Sequence, residues 1–290
     1  MSYLRFNRFY VVESLDSEDG DTLTGTQLLE DLKPTCENLK CLTSGLFTVE
    51  SKEQWDATMQ DILDETCEDV IPILHFEIHG VDDKSGLYIK NGDIIPCKNL
   101  LDWLSKINQK SCCNLFVTFA VCYSLHVLEY VNIYGLMPFC GTIGTLDEQE
   151  ETDLYLKYKG FYQEFLTSLD IDKAFEVLKA TNPDADYDYK HIRADLLFNV
   201  AQHGYLTNEC TRTALKLRAE KSIVEKQLTF KDKAERRLFI KNFREQERLH
   251  REEYYQKCLE KYYLFQAYPD NRNRFLYYNT TNELLEAFKK

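Results

Sequence analysis

The chain has 290 residues, 44% hydrophobic and 29% charged, enough for one large domain or two modest ones with a buried core. Six prolines and eleven glycines exclude collagen-like and low-complexity architectures. The net charge of −13 argues against a general binder of nucleic acid or anionic membrane, but it is split: residues 1–190 carry −19 and residues 191–290 carry +6.

The elements follow in chain order. Phe9–Leu15 is a short β-rich run, followed by the acidic turn SEDGD. Thr24-Gly25-Thr26 opens a helix over Gln27–Leu32, expected to stop at Pro34. Leu46–Val49 is a strand, and Ser51 with Gln54 has the spacing of a capping box ahead of a helix through Trp55, Met59 and Ile62. Ile71–Ile78 is strongly strand-like and ends at His79-Gly80. Gly86–Ile89 and Ile94–Ile95 flank Asn91-Gly92-Asp93, a hairpin signal. Asn99–Ile107 has helical spacing. Leu115–Val121 is a buried strand ending at Cys122, and Pro138–Leu146 is another. Helices over Thr152–Leu169 and Asp172–Ala180 precede Asn182-Pro183.

Strands separated by helices of 10–15 residues predict an α/β fold with a mostly parallel sheet and helices on both faces over residues 1–190. Beyond about Ile192 the pattern turns to charged helices. Residues 213–266 hold no glycine or proline, which predicts one or more long helices, or a helical hairpin. The interleaved acids of Lys231–Arg237 argue against a nucleic-acid surface. The many aromatics there (Tyr254, Tyr255, Tyr262, Tyr263, Phe265) suit a core face or an interface equally. Residues 191–290 are therefore either a bundle packed for its own sake or a docking surface for a regulatory protein.

The N-terminus shows no signal-peptide pattern, and the run Cys112–Leu125 is interrupted by polar residues and too short to span a bilayer. Ten cysteines in such a chain suggest reduced thiols and a cytoplasmic location. None are spaced Cys-x-x-Cys, so no structural metal site is expected.

Two apolar strands end in reactive residues, one in His79 and one in Cys122, and open α/β sheets collect their sites at the carboxyl ends of strands. A thiol attacks as a thiolate, so a cysteine nucleophile needs an imidazole near it in space. If the two strands are parallel neighbours, both side chains emerge at one edge. Gly80, lacking a Cβ, could bring its N–H to a substrate carbonyl and form an oxyanion hole with the Cys122 N–H. Taken singly, each residue reads equally well as a core histidine and an inert buried thiol. His75, deeper in the same strand, reads as core; His126 reads as a helix-face residue.

Leu74–Gly80, Gly86-Leu87-Tyr88, Asn91-Gly92-Asp93, Leu100–Leu104 and Phe119–Ser124 together resemble the caspase-like peptidases, most closely the CHAT family. The likeness continues through Gly141–Leu146, Glu150-Glu151-Thr152, Phe161-Tyr162 and Ala174–Leu178, and covers about residues 8–181. It implies a caspase-like fold and a thiol protease with a His79–Cys122 dyad, needing no metal or organic cofactor. Relatives often act in bacterial antiviral defence or cell death under a sensor, which implies a regulatory protein partner and latency. This chain departs from the family pattern at Ile78, Val121 and Tyr123-Ser124, where small residues or glycine are usual, and the same fold without turnover would be a binding module. An acidic pocket would select a basic residue before the cut. Asp147, Glu150, Glu151 and Asp153 are the pocket candidates, with Glu148 in the same loop, and residues 111–156 contain no Lys or Arg to favour an acidic one.

Overall fold

A computed structural model describes residues 4–16, 20–39, 42–181 and 188–289. The chain divides into two compact units, Met1–Asn132 with Leu136–Ala194, and Ile133–Gly135 with Asp195–Lys290. Asn182-Pro183 lies outside the described residues.

In the first unit the elements run β1 (Arg8–Ser14), α1 (Thr24–Asn38), β2 (Thr43–Thr48), α2 (Lys52–Glu65), β3 (Pro72–Gly80), β4 (Gly86–Tyr88), β5 (Ile94–Pro96) and α3 (Cys97–Lys110). They continue with β6 (Phe116–Ala120), a 3-10 helix (Ser124–Tyr130), β7 (Gly141–Thr145), α4 (Glu151–Ser168), α5 (Ile171–Ala180) and β8 (Tyr189–Arg193). The main sheet has the order β2-β1-β3-β6-β7-β8, parallel except for β8, with the β4–β5 hairpin on the end of β3. This is the α/β architecture with a mostly parallel sheet that the alternating pattern predicts.

Strand alternation sends the two faces to different helices. Phe9, Val11, Ile73, Phe116 and Ile143 pack with Leu28 and Leu32 of α1, Tyr158, Phe161 and Tyr162 of α4, and Ala174 and Leu178 of α5. The opposite face carries Phe76, whose ring lies 5.4 Å from that of Phe119 and 5.7 Å from that of Trp55 in α2. Full burial of each such side chain is worth roughly 1.5–3 kcal/mol. Ser51 caps α2 by accepting the Gln54 N–H, while the Gln54 side chain reaches back to the Glu50 N–H, one residue earlier than the usual capping box.

Three expectations need correction. Pro34 does not stop α1, which continues to Asn38: Leu28, Leu32 and Cys36 lie on one helical face and are all buried, and packing of that stripe outweighs the lost backbone hydrogen bond. β7 begins at Gly141 rather than Pro138. β8 does not stand out in the sequence, because three of its five residues (YKHIR) are polar or charged and only Tyr189 is buried, as suits an edge strand.

The second unit is helical: α6 (Ala194–Asn208), α7 (Arg212–Glu225), α8 (Lys233–Tyr263), α9 (Asn271–Arg274) and α10 (Thr281–Ala287). The glycine-free stretch forms a helical hairpin, and α8 spans 31 residues. Its aromatics resolve as core at the C-terminal end. Tyr255, Tyr262, Tyr263 and Phe265 are buried, and the rings of Tyr262 and Tyr263 stand 4.8 and 5.3 Å from Phe198 of α6. Among the described residues no helix is long and apolar enough to cross a membrane.

Candidate active site

β3 and β6 are adjacent and parallel, and their register pairs His75 with Thr118 and Glu77 with Ala120. The same offset of 43 residues separates His79 from Cys122. β6 ends at Ala120, and Cys122 lies in the turn that follows; its carbonyl packs against Gly80, which brings Cys122 to the His79 end of β3. His79, Cys122, Glu77 and Glu151 line one cavity of about 60 Å3, closed by Leu15, Leu154 and Gln149.

The imidazole is held by a group that the sequence reading missed. His79 Nε2 lies 2.9 Å from Asp21 Oδ2, and the same carboxylate oxygen accepts the Asp16 N–H at 2.8 Å. Burial alone would push the Asp21 carboxyl up; the Asp16 N–H and the His79 ring outweigh it and hold the carboxyl below its ordinary value. An ionised Asp21 selects the tautomer with the proton on Nε2, which leaves Nδ1 to take a proton. Asp21 stands 58 residues before His79, inside an acidic turn that reads as solvated, so no local signal marks it.

The sulfur is satisfied differently. Cys122 Sγ accepts the Gln149 N–H at 3.3 Å and lies 3.7 Å from the Gln149 carbonyl oxygen, so the loop between β7 and α4 holds the thiol. Burial pushes the Cys122 thiol up from its ordinary value, the Gln149 N–H opposes this, and the charges of Glu148 and Asp82 add to the rise. Gln149 is itself tied down: Tyr189 donates to its side-chain oxygen and its amide reaches Thr145 Oγ1.

Gly80 is required, and for a reason other than the expected one. A Cβ at this position would overlap the Cys122 carbonyl oxygen, so glycine allows β3 and the Cys122 turn to close up. Val81 N–H donates to Gly86 O, and in an antiparallel ladder the neighbouring Gly80–Leu87 pair is then a non-hydrogen-bonded one, which directs the Gly80 N–H away from β4. After the cysteine, Tyr123 has φ of 58°, in the left-handed region. That explains why glycine suits the position. Tyr123 is kept there by a hydrogen bond from its hydroxyl to Glu148 at 3.2 Å, and Lys84 Nζ lies 5.1 Å from its ring centroid.

The pocket candidates separate. Glu151 lines the dyad cavity and accepts the Thr22 N–H at 3.1 Å. Asp147 accepts the Asp188 N–H, Glu150 is the exposed residue preceding α4, and Asp153 sits in the first turn of α4, where its charge acts on Lys157. None of these three lines the cavity. Glu148 and Asp82, by contrast, are the carboxylates whose charge reaches the thiol. His75 is fully buried, with Nδ1 2.7 Å from Thr118 Oγ1 and Nε2 2.8 Å from Glu77, and is a core residue as expected. His126 pairs with Glu129 on the 3-10 helix.

Ligand atoms of Asp21, His79 and Glu151 fall within 4.8 Å of one another, a set able to hold a divalent cation. A cation there would compete with the proton-transfer role of the imidazole. Together these features define an α/β domain with an imidazole, an orienting carboxylate and a thiol at the carboxyl ends of its central strands. No protein-family model matches the chain, and no curated protein matches it by sequence.

Proposed function

We propose that this chain is a cysteine endopeptidase of the caspase-like type. The observation that carries the reading is that His79 and Cys122 line one cavity at the ends of adjacent parallel strands, with Asp21 bonded to the ring. Proton transfer from the thiol to His79 Nδ1 generates the thiolate, which adds to the scissile carbonyl carbon. The oxyanion is met by the N–H groups of Gly80 and Cys122. The C–N bond then breaks as the imidazolium gives its proton to the departing amine, leaving a thioester. Water, deprotonated by His79, hydrolyses the thioester and restores the thiol.

The resting site is latent on this reading. The thiol is pushed up by burial and engaged by Gln149, so a regulatory partner must shift the β7–α4 loop before the dyad works. The carboxylates Glu148, Asp82 and Glu151 around the site favour a basic residue before the cut. The free cysteines suit a cytoplasmic location. The same engagement of the sulfur by Gln149 supports a second reading, a binding module that keeps the fold and not the turnover.

Profiling cleavage of a peptide library, with and without proteins encoded beside this gene, separates the two readings. Cleavage after Lys or Arg that is lost in Cys122→Ala supports the peptidase. Full activity in Cys122→Ala, or none under every condition, overturns it.

A further inference from the structure

The second unit contains a cavity chemically unlike the one at His79 and Cys122. It measures about 510 Å3, lies between α7 and α8, and is lined by Arg212, Arg218, Lys241, Arg244, Arg248 and Arg251 against only two carboxylates, Glu245 and Glu247. Such a volume is that of a small-molecule site. Lys241, Arg244, Arg248 and Arg251 follow one another at intervals of three and four residues, so they form one stripe of α8. Arg212 and Arg218 of α7 line the same cavity.

Two helices that turn like charges toward one space repel each other unless something negative fills it. Among the described residues, Arg218 alone of the six forms an ion pair, with Glu247 at 3.4 Å. The Nε atoms of Arg218, Arg244 and Arg251 are buried and have no hydrogen-bond partner there. A buried guanidinium N–H without an acceptor carries a desolvation cost that an anion would remove.

The cavity continues into a second one of about 270 Å3, with which it shares Tyr205, Glu247 and Arg251. This neighbour is lined by Tyr134, Tyr254 and His250. The rings of Tyr134 and Tyr254 stand 5.6 Å apart at 43°, an open aromatic pair. One end is thus cationic with unused donors, and the adjoining end is aromatic with few charges.

We propose that these joined cavities bind a nucleotide: the arginines take its phosphates and the tyrosines receive its base. The site belongs to the second unit alone and does not depend on the peptidase reading. It also differs from an extended nucleic-acid surface, since the donors converge on a cleft the size of one small molecule and carboxylates border it.

Calorimetric titration of the full chain tests this with three probes: inorganic tripolyphosphate, nucleoside triphosphates with each base, and the matching nucleosides. The expected result is saturable binding of tripolyphosphate, tighter binding of at least one nucleoside triphosphate, and a melting temperature raised by several degrees at saturation. Nucleosides alone should bind weakly or not at all. Arg244→Ala and the exposed-position variant Arg248→Ala should each weaken triphosphate binding about tenfold or more, the scale of a lost hydrogen bond to a charged group. Tyr254→Ala should narrow the advantage of the nucleoside triphosphate over tripolyphosphate while sparing tripolyphosphate. Unliganded melting curves show whether each variant folds, and Arg248→Ala carries the test if Arg244→Ala does not. No saturable binding of any phosphate, unchanged affinity in the folded arginine variants, or binding only of oligonucleotides or acidic peptides overturns the proposal.

Discussion

The thiol of Cys122 offers the most direct test of the site, because it can be read without knowing a substrate. Its ordinary value is 9.0, and burial with the charges of Glu148 and Asp82 pushes it higher, against the Gln149 N–H. A thiol shifted upward in this way carries less thiolate at neutral pH than an exposed one. Alkylation follows the thiolate fraction, so the labelling rate of Cys122 by iodoacetamide should rise about tenfold per pH unit from 7 to 9 without a plateau. Mass spectrometry of the digested protein reads each cysteine separately. Cys67 is exposed and supplies a solvent-accessible reference, while Cys36, Cys97 and Cys258 are buried and should label more slowly. At pH 7.5 the isolated chain should therefore label faster at Cys67 than at Cys122, and an activating partner should reverse that order. A plateau for Cys122 already reached by pH 7 would mean a preformed thiolate–imidazolium pair, and would refute both the burial argument and the latent resting state.

Gly80→Ala should force the Cys122 carbonyl and β3 apart by about 1 Å, a displacement able to cost about 100-fold in rate; unchanged turnover in an activated sample would show that the close approach is not needed. Asp21→Asn removes the charge that fixes the His79 ring and should lower turnover tenfold or more with little change in fold. Because the folded state holds the Asp21 carboxyl low, its contribution to stability is present above the ordinary value of 3.8 and is lost as pH falls below it. The same variant should therefore flatten the acid limb of the melting-temperature profile below about pH 4, and a limb as steep as in the unaltered protein contradicts the pairing. Tyr123→Val places a β-branched residue at φ of 58° and should cost roughly 2 kcal/mol in urea unfolding. Tyr123→Gly relieves that conformation but loses the Lys84 and Glu148 contacts, and should fall within about 1 kcal/mol of the unaltered protein.

The strands that carry the site are legible because they are buried on both faces. The apolar runs ending at His79 and Cys122 can be little else, and the helical spacings at Trp55 and Leu100 follow from the same periodicity. What the sequence withholds are contacts between distant segments. The hydrogen bond from His79 to Asp21 joins a strand end to a turn far earlier in the chain, and the link from Gln149 to the sulfur uses backbone atoms that carry no residue signature. Pro34 misleads because a proline's local cost is visible in sequence while the buried stripe that outweighs it depends on the neighbouring sheet. Asp147, Glu150 and Asp153 satisfy the composition argument for an acidic pocket, but their helix and loop geometry leaves only Glu151 of the four at the cavity.

The pairing of β3 with β6 also has a kinetic side. The dyad residues sit on parallel strands joined by a hairpin and a helix, so no local turn can bring them together, and a slip of one residue in register would send Cys122 to the opposite face. Non-local parallel pairing is slow to form. During refolding, the distinctive alkylation behaviour of Cys122 should emerge only when the central sheet closes, so this one sulfur serves as a clock for the completed domain, and a chain cut between the two strands gains nothing from either half alone.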